Sequence, residues 1–346
     1  MKNEKIGGNF IMNELKQFKG IHHVTAITSS AETIYDFYTQ VLGLRLVKKN
    51  VNQDDLSTYH LFFADDRGNP GTDMTFFDFN GSAPHQKGTN DISRTSFRVP
   101  NDEALNYWEK RLIHYKIQSN SIIEHFGKRV LYFEDFDKQQ YAIFSDENNK
   151  GITSGEPWHK GPVPDEYAIT GLGPIFLRVQ FEEMMESVLV EVMKMRKIGI
   201  EDHFTLYEMG EGGNGASVIV EKDDTSESAR QGYGGVHHVS FRVEDKKHLD
   251  AWERHFNELG LRNSGFIDRY YFKAVYIRLY PNILFELSTE GPGFIDDEET
   301  YEVLGETLTL PPHLRNKREY VESQLPDFDT VRSTKHFKKE YFKNEK

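Results

Sequence analysis

Apolar and polar positions follow the same order four times along the chain, at a spacing of roughly 60–70 residues. Each repeat begins with an apolar strand, continues with an amphipathic helix and ends with further strands. In the first repeat, an apolar strand at 20–28 precedes a helix over Ser30–Val41, which ends at Gly43. Its remaining strands are predicted at 44–51, 58–64 and 73–79.

The three later repeats keep this order with different lengths. The second is predicted as a strand at 95–99, a helix over Asp102–His114, and strands near 130–134 and 139–144. The third is predicted as a strand at 175–179 and a helix around 181–197, and the fourth as a strand at 236–243, a helix over Lys246–Leu259, and strands near 261–269, 272–280 and 282–288. Such units do not fit the regular alternation of a parallel doubly wound sheet. The pattern predicts an α+β protein of four βαβββ units, whose paired curved sheets enclose a cleft.

A proline- and glycine-rich segment divides the chain into two pairs of units. Residues 18–155 are predicted to form the N-terminal pair, residues 156–166 the linker, and residues 167–295 the C-terminal pair. A polar extension precedes them at 1–17, and a helical, proline-marked tail follows at 296–346, where it is expected to pack outside the core.

Adjacent histidines occur at the same place in the first and fourth units. Each pair follows a glycine closely and stands on a strand, and His22 and His23 match His237 and His238 position by position. Because alternate side chains of a strand point to opposite faces, the two members of each pair are expected on opposite faces. The match favours the second member, His23 or His238, as a metal ligand.

A carboxylate on the last strand of the fourth unit completes a ligand set. Glu286 stands among apolar neighbours, where a buried carboxylate is costly without a partner. Two histidines and one carboxylate on rigid strands are the parts of a facial triad for non-haem Fe(II). If His23, His238 and Glu286 share one ion in the cleft, units one and four must face each other. Units two and three have no histidine at the matching positions, so one metal per chain is predicted.

Composition narrows the chemistry further. Cysteine is absent from the 346 residues, so a metal would have to use histidine and carboxylate, and no disulfide or iron–sulfur cluster can form. The net charge of −13 argues against nucleic acid or an anionic membrane as a partner. No apolar run reaches about 18 residues, the length that a membrane span needs.

The remaining features of the sequence are less specific. The N-terminus lacks the apolar core of a signal peptide, which favours a cytoplasmic location, and Met12 is a second candidate for the start of translation. A lone histidine is more often structural than catalytic. Structural or solvated roles are therefore expected for His60, His85, His114, His125, His203 and His255.

Several stretches of the chain resemble the vicinal oxygen chelate superfamily, and within it the ring-cleaving dioxygenases of the hydroquinone type. The resemblance rests on the repeat, on the ligand positions, and on residues 20–25, 59–65, 71–77, 234–241, 284–287 and 310–314. It implies that His23, His238 and Glu286 bind Fe(II), with Mn(II) as an alternative. It also implies an aromatic diol and O2 as substrates, and a pocket lined by His22, Thr25, His237, Arg269 and Tyr276.

Two other functions share this fold. A glyoxalase-type lyase or isomerase would hold a Lewis-acidic metal with four protein ligands, and aligning Asp78 with Glu286 places Asp78 at the fourth corner. Aspartate is one methylene shorter than glutamate, so a solvated role at the strand end is the alternative for Asp78. A metal-free protein that binds an aromatic compound would not need all three ligands. A homo-oligomer is compatible with each of these functions.

Overall fold

Residues 15–296, 298–331 and 335–342 of the chain are described by a computed structural model. The alternative start at Met12 and most of the N-terminal extension lie outside the described residues. No helix of the described part is long and apolar enough to cross a membrane.

Strands and short helices alternate along the chain. The strands are β1 Ile21–Ile27, β2 Arg45–Asn52, β3 Asp55–Ala64, β4 Asp73–Phe77, β5 Asp91–Val99, β6 Ile123–His125, β7 Lys128–Glu134, β8 Gln140–Ser145, β9 Gly171–Leu172, β10 Ile175–Val179, β11 Arg196–Glu201, β12 Phe204–Glu208, β13 Ser217–Lys222, β14 Gly235–Val243, β15 Ile267–Asp268, β16 Lys273–Leu279 and β17 Ile283–Thr289. The helices are α1 Ala31–Asp36, α2 Asp102–His114, α3 Glu182–Glu186, α4 Lys246–Glu258 and α5 Arg318–Gln324. Single π-helical turns at Phe37–Val41 and Ser187–Val192 extend α1 and α3, and 3₁₀ turns form at Asp165–Tyr167, Asn214–Ala216, Tyr301–Val303 and Pro312–Lys317.

The strands form two mixed sheets, which confirms the α+β prediction. One sheet has the order β15-β16-β17-β14-β1-β4-β3-β2, and the other has the order β11-β12-β13-β10-β5-β8-β7-β6, with β9 beside β5. The first sheet therefore joins units one and four, and the second joins units two and three. The two halves separated by the linker each contribute strands to both sheets.

Units one and four meet edge to edge. β1 and β14 are antiparallel, with Val24 opposite Val239 at the centre of the seam. The expectation that these units meet is confirmed, but they lie side by side in one continuous sheet rather than as two separate facing sheets. Backbone pairing across the seam satisfies edges that would otherwise be open.

Helices and both sheets share one hydrophobic core. It contains Trp108 of α2, Trp252 of α4, Phe97 of β5 and Phe241 of β14, all fully buried. The helices begin where the sequence places caps: for example, the Asp245 side chain accepts a hydrogen bond from the backbone N–H of His248 at the start of α4. The shared core holds the first sheet, and thus the seam, in a fixed shape.

Some predicted boundaries were wrong. The helix expected at 181–197 ends at Val192, because the chain turns into β11 from Arg196. The strand expected at 261–269 is reduced to Ile267–Asp268. β11 was missed because its side chains are mostly exposed and show no apolar alternation.

The C-terminal tail covers the β2 edge of the first sheet. Leu310, Leu314 and Val321 are buried against Val51 of β2. The backbone N–H of Thr309 donates to the Lys49 carbonyl at 2.9 Å. Further along, Phe328 is buried in the main core, so the expectation that the tail packs only outside the core was wrong. The tail covers the edge strand β2 and protects it from unwanted pairing.

Candidate metal centre and its cavity

Three buried side chains converge where β1, β14 and β17 lie side by side. His23 Nε2 is 3.1 Å from Glu286 Oε2, and His238 Nε2 is 2.9 Å from the same oxygen. The two ring nitrogens are 3.3 Å apart. The structure therefore brings together the three residues predicted as metal ligands, and these atoms form a group able to hold a metal ion.

Within the described part of the chain, one oxygen of the Glu286 carboxylate has no hydrogen-bond partner at this convergence, although His23 Nε2 and His238 Nε2 are within hydrogen-bond distance of each other. Glu286 Oε2 is buried and has no hydrogen-bond partner among the described residues, although both ring nitrogens are close to it. The two ring nitrogens and this oxygen lie within 3.3 Å of one another and surround a common point. A carboxylate oxygen buried without a donor is costly, and a divalent cation would supply the missing partner.

Each ligand histidine is held by the histidine before it. His22 Nδ1 and His23 Nδ1 are 2.9 Å apart, and His237 Nδ1 and His238 Nδ1 are 2.7 Å apart. His22 Nε2 also lies 3.1 Å from the Thr289 carbonyl oxygen. A carbonyl only accepts, so His22 Nε2 carries the proton and His22 Nδ1 accepts from His23 Nδ1–H. His23 Nε2 is left with a lone pair for a metal.

Bulges in the seam make these contacts possible. The register between β1 and β14 shifts at His22 on one strand and at His237 on the other, so each is the extra residue of a β-bulge. The expectation that the members of each pair lie on opposite faces was therefore wrong. A bulge interrupts the alternation and turns the first histidine toward the second.

The carboxylate is oriented by a second group. Ser288 Oγ donates to Glu286 Oε1 at 2.9 Å, and Ser240 Oγ donates to Ser288 Oγ at 2.8 Å. All three side chains are fully buried. One carboxylate oxygen is thereby occupied, and the other is left for the common point between the histidines.

A cavity of about 300 Å³ opens beside the three residues. This is the lower end of the range for small-molecule sites, and it suits a single aromatic ring. The wall contains, besides the three converging residues, Asn50, Val51, Asn52, Gln53, Asp54, His60, Phe62, Phe77, Phe79, His237, Arg269, Tyr271, Phe272, Tyr276 and Leu284. Most of its apolar area is aromatic, which favours a flat ligand.

Three of the five residues predicted for the pocket line the cavity. These are His237, Arg269 and Tyr276. The other two, His22 and Thr25, lie behind the wall, where His22 contacts His23 and Thr25 Oγ1 is 2.8 Å from Thr75 Oγ1. They are placed to act through their neighbours rather than by touching a ligand.

Five further residues line the cavity and were not predicted to do so from the sequence: His60, Phe62, Phe77, Tyr271 and Phe272. The expectation of a merely structural or solvated His60 was wrong in this respect. A signal was available, because His60 and Phe62 alternate on a strand inside the family-like stretch at 59–65 and so share one face.

Asp78 does not correspond to Glu286. Glu286 is opposite Ser240 in the register, and the matching residue opposite Thr25 is Thr75. Asp78 is absent from the cavity wall, and one of its oxygens accepts the backbone N–H of Tyr59 at 2.7 Å. Burial raises the pKa of its carboxyl to about 7. The sequence alignment was displaced because strand pairing, rather than motif similarity, decides which residues are equivalent.

The cavity groups are strongly perturbed. Burial and the neighbouring Glu286 charge raise the pKa of Tyr276 well above its usual value. Burial, followed by the proximity of His238, lowers the pKa of His237 to about 3. Arg269 Nε donates to the Tyr276 hydroxyl at 3.1 Å, and its guanidinium also pairs with Asp54 at 3.1 Å. At neutral pH the cavity therefore holds a neutral imidazole, a neutral phenol and a fixed positive charge.

Comparisons with known proteins agree in sequence and in fold. The model of the Glyoxalase/Bleomycin resistance protein/Dioxygenase superfamily matches residues 20–143. MhqA of Bacillus subtilis (strain 168), provisionally named a ring-cleaving dioxygenase, is 43% identical over 88% of this chain and 98% of the relative. The chlorohydroquinone/hydroquinone 1,2-dioxygenase of Sphingobium indicum is 30% identical over 88% and 95%, respectively.

A solved structure extends the agreement to three dimensions. The crystal structure of a provisionally named dioxygenase from Bacillus subtilis subsp. subtilis str. 168 has a TM-score of 0.83 and 35% identity, and the match covers 91% of this chain and 98% of that one. The family resemblance seen in the sequence is thus confirmed over most of the chain. The chain belongs to the glyoxalase/bleomycin resistance protein/dioxygenase superfamily.

Proposed function

We propose that the protein is a non-haem Fe(II)-dependent dioxygenase that uses O2 to cleave the ring of a hydroquinone- or catechol-like compound. The observation that carries the proposal is the buried group of His23, His238 and Glu286 at the wall of a cavity sized for one ring. The names of the relatives support the same reaction class.

The donor set fits a divalent iron. Two imidazole nitrogens and one carboxylate oxygen leave further coordination positions open, and Mn(II) accepts the same ligands. A bound iron would supply the redox chemistry that joins an aromatic diol to O2. The Thr289 carbonyl, acting through His22, fixes His23 in the tautomer that presents Nε2, and Ser288 fixes the carboxylate.

Residues of the cavity would stabilise negative charge on the substrate. A metal held by His238 Nε2 would leave the His238 proton on Nδ1, where His237 Nδ1 can accept it; His237 would then carry its own proton on Nε2 and offer an N–H to the cavity. The Arg269 guanidinium adds a positive charge beside Tyr276. Donors and a cation held before the reaction begins favour a phenolate oxygen over a neutral hydroxyl. The aromatic walls hold the ring flat and exclude water.

A glyoxalase-type lyase or isomerase is less well supported. Such an enzyme needs a fourth protein ligand, and the residue in register with Glu286 is Thr75, whose hydroxyl is already bonded to Thr25. Among the described residues, the group at this site contains three possible ligands and not four. A metal-free binding protein is also less well supported, because it would leave Glu286 Oε2 buried without a partner.

Anaerobic reconstitution with Fe(II), followed by oxygen uptake with substituted hydroquinones and catechols, tests the proposal. We expect uptake that depends on iron and on the diol. His238→Ala should abolish both iron binding and uptake, whereas His125→Ala, at a buried histidine of the second sheet, should retain both. Tight Zn(II) or Ni(II) binding without any oxygen uptake would overturn the dioxygenase. A cytoplasmic, homo-oligomeric enzyme remains our prediction for the state in which it works.

A further inference from the structure

His60 lines the same cavity as the three converging residues, but from a different part of the first sheet. It lies on β3, two strands from the β1 strand of His23, and two strand spacings amount to roughly 10 Å. Its ring packs against Phe62 and Phe77, with centroids 4.0 and 4.4 Å away. The ring is thus held between two aromatic side chains on the cavity wall.

One nitrogen of this ring is hydrogen-bonded to the first of two buried threonine hydroxyls that are hydrogen-bonded to each other. His60 Nε2 is 3.0 Å from Thr75 Oγ1, which is 2.8 Å from Thr25 Oγ1. Thr25 and Thr75 are fully buried. Among the described residues this is the one hydrogen bond of the His60 ring, so Nδ1 has no protein partner.

The direction of the hydrogen bonds that link His60, Thr75 and Thr25 follows from counting protons. If His60 Nε2 donated to Thr75, then Thr75 would donate to Thr25, and the Thr25 proton would have no acceptor among the described groups. A buried donor left in this state is destabilising. In the opposite direction, Thr25 donates to Thr75 and Thr75 donates to His60 Nε2. Every proton of the chain is then used, and the ring proton of His60 lies on Nδ1.

Two other polar side chains of the cavity wall are already engaged. Asn50 donates to the Tyr271 hydroxyl and accepts from the backbone N–H of Val51. Gln53 donates to the Arg269 carbonyl. Burial, followed by the nearby His23, lowers the pKa of His60 well below its usual value, so its ring is neutral. Its N–H is therefore a donor with free capacity in a largely aromatic part of the wall.

We propose that His60 Nδ1–H binds the substrate oxygen that lies across the ring from the one held at the metal centre, and that His60 thereby selects para-dihydroxybenzenes. This inference rests on the proposed function. A catechol has no oxygen at the far position and cannot use the donor. Thr75 and Thr25 are positioning residues, because they fix the tautomer of His60 without touching the substrate.

Anaerobic binding of three ligands to the Fe(II)-loaded protein tests the inference. Hydroquinone and 4-methoxyphenol have an acceptor oxygen at the far position, and phenol has none. We expect His60→Leu to weaken the first two roughly fivefold to tenfold, the size of one hydrogen bond, and to leave phenol unchanged. For each ligand, the affinity of the variant is compared with that of the wild type. The extra methyl group of 4-methoxyphenol affects both affinities, so its effect cancels in the ratio.

Further variants distinguish loss of the His60 hydrogen-bond donor from loss of the folded structure. His60→Asn places an amide near the position of Nδ1 and should restore the preference for a far oxygen. Thr75→Val should reduce the preference by releasing the tautomer, and His125→Leu should keep it. Urea unfolding checks that each variant is folded, and if His60→Leu is not, the comparison of His60→Asn with Thr75→Val decides.

The results separate a failure of the His60 proposal from a failure of the proposed function. If the wild type binds phenol and hydroquinone equally and still consumes O2, the role proposed for His60 is overturned and the proposed function is not. An effect of His60→Leu on hydroquinone but none on 4-methoxyphenol would make His60 an acceptor and overturn the donor assignment. Failure of the wild type to bind any of the three ligands would overturn both proposals.

Discussion

The histidine that precedes each ligand offers a quantitative test of the metal centre. In His22→Leu, the Nδ1–H of His23 loses its acceptor, which is 2.9 Å away in the wild type. His22 is only 3% exposed, so water does not replace it. An unsatisfied buried donor costs about 1–3 kcal/mol, and 1.4 kcal/mol corresponds to about tenfold in affinity. Metal affinity should therefore fall by about 10–100-fold, as is typical for such partners.

The matched variant is His22→Asn. Its amide oxygen stands near the position of Nδ1 and can accept from His23, so it should recover about tenfold of the affinity lost in His22→Leu. Leucine and asparagine both lose the bond to the Thr289 carbonyl, and that loss cancels in the comparison. Competition with a chromophoric chelator for Co(II) measures the affinities without relying on turnover. Equal metal affinities of the two variants, or a wild-type metal affinity of His22→Leu, would contradict the role assigned to His22.

Three further predictions concern other parts of the molecule. Arg269→Met should lower kcat/KM for diols by about 100-fold while metal content stays unchanged, since a preorganised cation is lost; loss of metal instead would contradict this role. Ser288→Ala should weaken metal binding by about tenfold, measured by the same competition, and unchanged affinity would remove Ser288 from the support of Glu286. Burial raises the pKa of Asp135 to about 7, so the folded state binds its proton more tightly, and stability should fall as pH rises from about 4 to 7. Asp135→Asn should lessen that fall in urea unfolding, and an identical pH profile would contradict the assignment.

The convergence of the candidate ligands could be predicted from the sequence because the duplication marks the two histidines. The match between His23 and His238 selects one member of each pair, and the carboxylate of Glu286 is conspicuous in an apolar strand. For Asp78, comparison of motifs gives the wrong equivalence. Its motif aligns with that of Glu286, but the pairing of β1 with β4 puts Thr75 at the equivalent place. Strand register depends on hydrogen bonds between distant segments, which a local motif does not report.

The cavity was harder to predict than the metal centre. His60 on β3 and Phe272 just before β16 lie far apart in the chain, and the alternation of His60 and Phe62 on one strand does not show that the two segments meet. The bulges at His22 and His237 were also unpredictable, since the sequence there reads as regular alternation. Both features arise from the seam between units one and four, which exists only in the folded chain.

That seam also determines when the centre can form. His23 lies near the beginning of the chain and Glu286 lies in its last unit, and β1 reaches its partner β14 only after units two and three have been made. An emerging polypeptide that ends at the linker has one of the three candidate ligands and cannot hold a metal ion between them. Metal loading is therefore a late event in biosynthesis, and a bound ion joins the first and last units across a long loop of sequence. In the finished enzyme, removal of the ion should loosen the contact between β1 and β14 before it affects the second sheet.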